Sequence, residues 1–170
     1  MHKDHTVRVA WDDTDCTKRI YLGKYIKWLD DAATEFLRGR GLVFDMEGWL
    51  WLDGNELNES FVVGEYSMRM FKTSGFDEVL TIKLSVKERR SRVIVFKGDI
   101  HDEKGDLCAS GTLTYIYIKR RAEPAGRQKK GKLNDHRPGP VVSPPSKPSG
   151  TPIVSTDIPE NIAKLLPVGK

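Results

Sequence analysis

Three carboxylates, Asp12, Asp13 and Asp15, fall within four residues of WDDTDCTKRIYLGKYIKW, directly ahead of the one long amphipathic segment of the chain. A carboxylate can act as a nucleophile or a general base. The first turn of a helix leaves backbone N–H groups without intrahelical acceptors. An acidic loop feeding straight into a helix therefore offers a base on one side of an activated carbonyl and oxyanion donors on the other. The plainer reading is a set of loop and N-cap aspartates. Cys16 lies beside Asp15 with no histidine near it in sequence to activate the thiol, and His2, His5, His101 and His136 show no metal-ligand spacing. A second charged cluster, Arg89, Arg90 and Arg92, sits between two strand-like segments, where it either clamps phosphates or forms a solvated hairpin tip.

The elements around these residues follow from periodicity. Val7, Val9 and Trp11 alternate with Thr6, Arg8 and Ala10, the period of a half-buried strand. From Tyr21 the apolar positions Tyr25, Trp28, Leu29, Ala32, Ala33, Phe36 and Leu37 recur at helical spacing, and Gly39 and Gly41 mark the helix end. Residues 42–59 give no clear pattern. Four β-rich segments follow at 61–72, 78–88, 92–102 and 107–119, separated by TSGFD, RRS and EKGD turns. A strand, a long helix and an antiparallel meander make an α+β pattern in which the sheet wraps the helix. Tyr115, Ile116, Tyr117 and Ile118 supply apolar groups to both faces of the last strand, which predicts that its outer face meets another subunit.

All nine prolines lie at or after Pro124, and residues 120–170 carry ten Lys and Arg against four Asp and Glu. The chain thus reads as a domain over residues 1–121, a flexible Pro/Lys-rich linker over 122–156, and a short helical segment over 157–170 with Asp157 as cap and Pro159 in the first turn. The basic charge belongs to the tail, which offers no aromatic residue for base stacking, so the pI of about 9.0 argues for no nucleic-acid partner. Two cysteines are too few for a disulfide framework, and no apolar run approaches a membrane span or a signal peptide, so a soluble, cytoplasmic protein with no membrane association is expected.

The strand ending in Asp13-Thr14-Asp15, followed by Tyr21, Tyr25, Trp28 and the run Leu29-Asp30-Asp31-Ala32-Ala33, resembles the hotdog-fold acyl-CoA thioesterases of the 4-hydroxybenzoyl-CoA thioesterase type. DEVLTIKLSVKERRSR looks like that family's central strand, basic turn and next strand, and IPENIAKLL looks like its short C-terminal helix. The resemblance implies a curved antiparallel sheet around one helix, pairing into dimers or homotetramers, and active sites at the dimer interface. It implies hydrolysis of an acyl-CoA or acyl carrier protein thioester without metal or redox cofactor. The alternative is a silent hotdog domain that binds acyl thioesters as a sensor or scaffold. The family's catalytic carboxylate falls on Asp15, and its oxyanion-donating backbone N–H falls on Leu22. Tyr21, Tyr25, Trp28, Arg89, Arg90 and Arg92 are the expected substrate-binding residues, Tyr25 and Trp28 also fitting a purely core role. Lys18 stands where the family commonly has Gly, a position where a left-handed backbone would strain a side chain.

Overall fold

The structure, a computed structural model, describes residues 4–120 and 153–169. In chain order its elements are β1 (His5–Arg8), a 3-10 turn (Trp11–Asp13), α1 (Leu22–Arg38), β2 (Leu42–Phe44), β3 (Leu50–Leu52), β4 (Asn55–Glu56), β5 (Glu59–Met70), β6 (Val79–Arg89), β7 (Val93–His101), β8 (Leu107–Arg120), β9 (Ile153–Ser155) and α2 (Glu160–Leu165). The main sheet is antiparallel in the order β1-β6-β7-β8-β5, with β9 added to β8. A helix held in a curled antiparallel sheet is the hotdog arrangement, as the sequence predicts.

The strong helical period of α1 buries Tyr25, Trp28, Leu29, Ala32, Ala33, Phe36 and Leu37 on one face. Small residues set how closely it approaches the sheet. Ala32 and Ala33 are fully buried, and Leu29 Cδ1 occupies the space that a Cβ on Gly98 in β7 would need. Leu80, Ile82 and Val86 of β6 and Phe96 and Ile100 of β7 alternate into the same core. Each such side chain contributes on the order of 1.5–3 kcal/mol when fully buried.

Four differences from the sequence reading have local causes. The first strand ends early and Trp11 turns outward, because the Asp13 carboxylate takes the Ala10 N–H at 2.8 Å and winds residues 11–13 into a turn. Trp11 is 65% exposed, its ring set edge-on to Phe76 at 5.4 Å. The unpatterned stretch 42–59 contains a separate three-stranded sheet, β2-β3-β4. Inside the segment read as linker, residues 122–152 lie outside the described residues, whereas Ile153–Ser155 pair with Ile118–Arg120. Asp157 caps no helix; it pairs with Arg92 at 2.9 Å, and the N-cap of α2 is Pro159.

The segment after β9 closes one end of the core. Ile162 and Leu166 are buried in the main hydrophobic cluster. The Arg89 guanidinium donates to the carbonyls of Ala163 and Leu166, and Gly169 N–H reaches Val86 O at 2.8 Å. On the other flank β5 is the sheet edge, with Val63, Tyr66 and Met70 exposed along it. One strip of exposed apolar side chains thus runs along β5, whereas Tyr115, Tyr117 and Ile118 of β8 are buried.

Candidate active site

Residues 13–21 fold back on themselves. Tyr21 N–H donates to Asp13 O at 3.0 Å, Thr14 and Ile20 form an antiparallel bridge, and Asp15 N–H donates to Arg19 O at 2.8 Å. Lys18 makes the reversal possible by adopting φ +64°, so the left-handed conformation expected of glycine is present on a lysine. The loop then rests on the β5–β6 connection. Ile20 N–H donates to Ser74 O at 3.2 Å and Arg19 bridges to Gly75.

Within this hairpin the three aspartates diverge. Asp15 Oδ1 accepts the Thr17 N–H at 2.7 Å, the Thr17 hydroxyl at 2.6 Å and the Arg19 N–H at 3.2 Å. Among the described residues nothing bonds its Oδ2. The Thr17 hydroxyl foremost, with the two backbone donors and the Arg19 charge, holds the Asp15 carboxyl below the usual carboxylate range. Asp13 is buried. Burial pushes its carboxyl up, but the Lys24 ammonium at 2.7 Å and the Ala10 N–H outweigh that and leave it below its ordinary value. The same contact raises Lys24. Asp13 is therefore the carboxylate tied to the first turn of α1, while Asp15 keeps one oxygen available. Asp12 is exposed.

The N-cap of α1 is Tyr21, with no side-chain cap. The N–H groups of Leu22 and Gly23 accordingly have no acceptor among the described residues, and the Leu22 side chain is 52% exposed. Gly23 has open space where a Cβ would stand, so nothing within the chain demands glycine there. Tyr21 is exposed beside these donors. Cys16 is exposed next to Asp15, and Cys108 is buried.

The other sequence-predicted site residues are placed elsewhere. Tyr25 and Trp28 lie in the core, 5.7 Å apart edge to face, because both fall on the buried stripe of α1. The Tyr25 hydroxyl is buried facing Ser74, whose Oγ is buried as well. Arg89, Arg90 and Arg92 sit at the β6–β7 turn, the opposite end of β6 from the residues that support the acidic loop. Eleven residues of strand separate the two ends, roughly 35 Å at strand rise. Each arginine already has a partner: α2 carbonyls for Arg89, Glu88 at 2.6 Å for Arg90 and Asp157 at 2.9 Å for Arg92. Within one chain they do not meet Asp15.

Ser74, Gly75 and Lys24 are the supports that sequence reasoning missed. TSGFD reads as a turn, and nothing in its spelling says which loop it carries; the Asp13–Lys24 pair spans a hairpin that no fixed spacing announces. Among the described residues no group of three or more side chains is placed to hold a metal ion.

Residues 18–109, more than half of the chain, match the family model described as the thioesterase superfamily; Asp15 lies three residues before the match begins. A comparison with curated proteins finds no match. Among solved structures, a DHNA-CoA thioesterase from Staphylococcus aureus is 24% identical, with 69% of this chain and 74% of that one covered and a TM-score of 0.60. A gentisyl-coenzyme A thioesterase is 20% identical over 68% of this chain and 87% of its own, TM-score 0.59. A mutant 4-hydroxybenzoyl CoA thioesterase complexed with 4-hydroxybenzoyl CoA is 14% identical over 97% and 98%, TM-score 0.62. At these identities the likeness carries the fold.

Proposed function

The chain belongs to the thioesterase superfamily, and on that premise we propose that it hydrolyses the thioester of a small or medium acyl-CoA, or of an acyl carrier protein, to free acid and thiol. The observation that carries this reading is the state of Asp15. Three donors fix one carboxylate oxygen, the other is open, and the loop that bears it runs straight into a helix whose first N–H groups lack acceptors. Asp15 then serves as general base or nucleophile at the thioester carbon, and the Leu22 N–H stabilises the oxyanion. In the general-base route water adds its oxygen to the carbonyl carbon and gives its proton to Asp15. The C–S bond then breaks and the leaving thiolate takes the proton from Asp15, which restores the carboxylate.

Arg89, Arg90 and Arg92 fit this reading only across two copies. The length of β6 sets them far from Asp15 of their own chain, so a site using both draws the carboxylate from one subunit and the basic turn from another. That makes a homodimer, or a tetramer of dimers, the catalytic unit. Coenzyme A recognition then requires Arg90 and Arg92 to exchange carboxylate partners for phosphate. Tyr21, exposed beside the helix start, lines the acyl side, while the buried Tyr25 and Trp28 shape that region from within. The domain is proposed to span residues 1–121, with the C-terminal segment docked on it.

One observation favours the silent reading. Lys18 and Arg19 bring two cations into the loop, and Asp15 is held below the ordinary carboxylate range, which lowers its basicity. A panel of short, long and aromatic acyl-CoAs, assayed for thiol release beside direct binding, separates the two. Thiol release that Asp15→Asn abolishes supports the enzyme; tight binding without release supports the binding domain.

A further inference from the structure

The small sheet of β2, β3 and β4 carries a shallow groove lined by Gly41, Val43, Phe44, Asp45, Trp51 and Gly54, with a cavity volume of about 360 Å³. Its floor is almost wholly apolar, yet no residue within the described chain covers it, and Trp51 is 37% exposed. The indole is held in place: Asp45 Oδ1 takes the N–H groups of Glu47 and Trp49, both at 2.8 Å, and Oδ2 accepts the Trp51 Nε1–H at 3.3 Å. A fixed, half-exposed tryptophan flanked by Val43 and Phe44 presents a flat apolar face to solvent. The surround is acidic, with Asp45, Glu47, Asp53 and Glu56 on the same small sheet and its turns.

The described residues that flank 121–152 come together beside this sheet. Arg120, the last residue before them, pairs with Glu47 at 3.5 Å and Glu56 at 3.8 Å, and its guanidinium lies 4.2 Å from the Trp49 ring centroid. Ile153, the first residue after them, is the strand partner of Arg120. Those 32 residues hold seven of the nine prolines and carry seven Lys and Arg against two Asp and Glu. Proline lacks an N–H and presents a preformed apolar face, which is why proline-rich segments dock in aromatic-lined grooves. The stretch 138–148, PGPVVSPPSKP, joins five prolines and two valines to a lysine, matching an apolar floor with an acidic rim.

We propose that the Trp51 groove binds residues 138–148 of the same chain. Tethering at Arg120 and Ile153 keeps the segment at high local concentration, so even a weak contact is populated. The test places the photo-cross-linking residue p-benzoylphenylalanine at position 142 of the full chain. Irradiation is expected to give a conjugate to the peptide spanning residues 41–56 of the same chain. Trp51→Ala should lower its yield about tenfold, as loss of an aromatic anchor does, and Trp51→Tyr should restore most of it. Irradiating mixed isotopically heavy and light chains identifies the donor of the segment. Heavy–light conjugates would assign the groove to a second copy and overturn the proposal. So would conjugates scattered over other surfaces, or a yield indifferent to Trp51→Ala.

Discussion

The carbonyl oxygen of Lys18 stands 2.8 Å from the point a Cβ on Gly75 would occupy, and Lys18 itself is left-handed. The acidic loop is therefore seated against bare backbone. A methyl group there must lift it, and no flexible side chain absorbs the overlap. Gly75→Ala is expected to cost about 1–3 kcal/mol in urea denaturation. It should lower kcat for thiol release more than it raises KM, since the loop holds Asp15.

Replacing Lys18 tests the other side of that contact. A left-handed non-glycine residue carries about 1–2 kcal/mol of strain, and glycine returns part of this as unfolded-chain entropy. Lys18→Gly should therefore be neutral or stabilise by up to about 1 kcal/mol, read as a higher urea midpoint. Lower stability would mean that the lysine side chain holds the loop.

Asp15→Asn keeps an oxygen to accept from Thr17 and Arg19, so the fold should survive. Turnover should fall by roughly 10²-fold or more, the usual contribution of a positioned base. Asp13→Asn should behave oppositely, lowering the melting temperature while costing much less in turnover once the protein is folded. Near-normal thiol release by Asp15→Asn would remove Asp15 from the chemistry.

The Asp13–Lys24 pair sets a pH dependence. The Asp13 carboxyl is lower in the folded chain than in the unfolded one, so its stabilisation is complete above the unfolded value of about 3.9 and disappears as pH falls through the folded value. Lys24 is raised, so its share is complete below about 10.4 and disappears at more alkaline pH. Lys24→Met should lower the urea midpoint at pH 7, where it leaves a buried carboxylate without its cation. The difference from the parent protein should close as pH falls through the lowered folded value of Asp13.

Ile162 tests the docking of α2. It is 1% exposed and completes the core from beyond the segment 121–152. Ile162→Ala should cost about 2–5 kcal/mol, the range for a buried aliphatic side chain that leaves a cavity. A change within 0.5 kcal/mol would show that α2 contributes little to stability.

What the sequence disclosed was whatever rests on local periodicity. The stripe from Tyr25 to Leu37 and the alternation of Leu80, Ile82, Leu84 and Val86 announce α1 and β6, because each pattern has one solution in a wrapped sheet. Trp11 was misread because its direction depends on one hydrogen bond, from Ala10 N–H to Asp13 Oδ2, that no periodicity encodes. The β2-β3-β4 sheet was missed because its strands are two or three residues long, too short to show a period. At the site, the Asp13-Thr14-Asp15 motif pointed to the loop, but the division of labour between the two acids depends on Lys24 and Thr17, which the fold brings to different carboxylates. The separation of Arg89 from Asp15 was equally hidden, since sequence gives the length of β6 but not the end at which the acidic loop docks.

The contrast between the two cysteines offers a spectroscopic handle. Cys108 is sealed in the core while Cys16 is exposed one residue from Asp15, and the sequence contains no third thiol. A maleimide dye added to the native, unmutated protein should therefore label a single position. That position reports directly on whatever arrives at the acidic loop, so ligand binding can be followed by fluorescence even in a variant that turns nothing over.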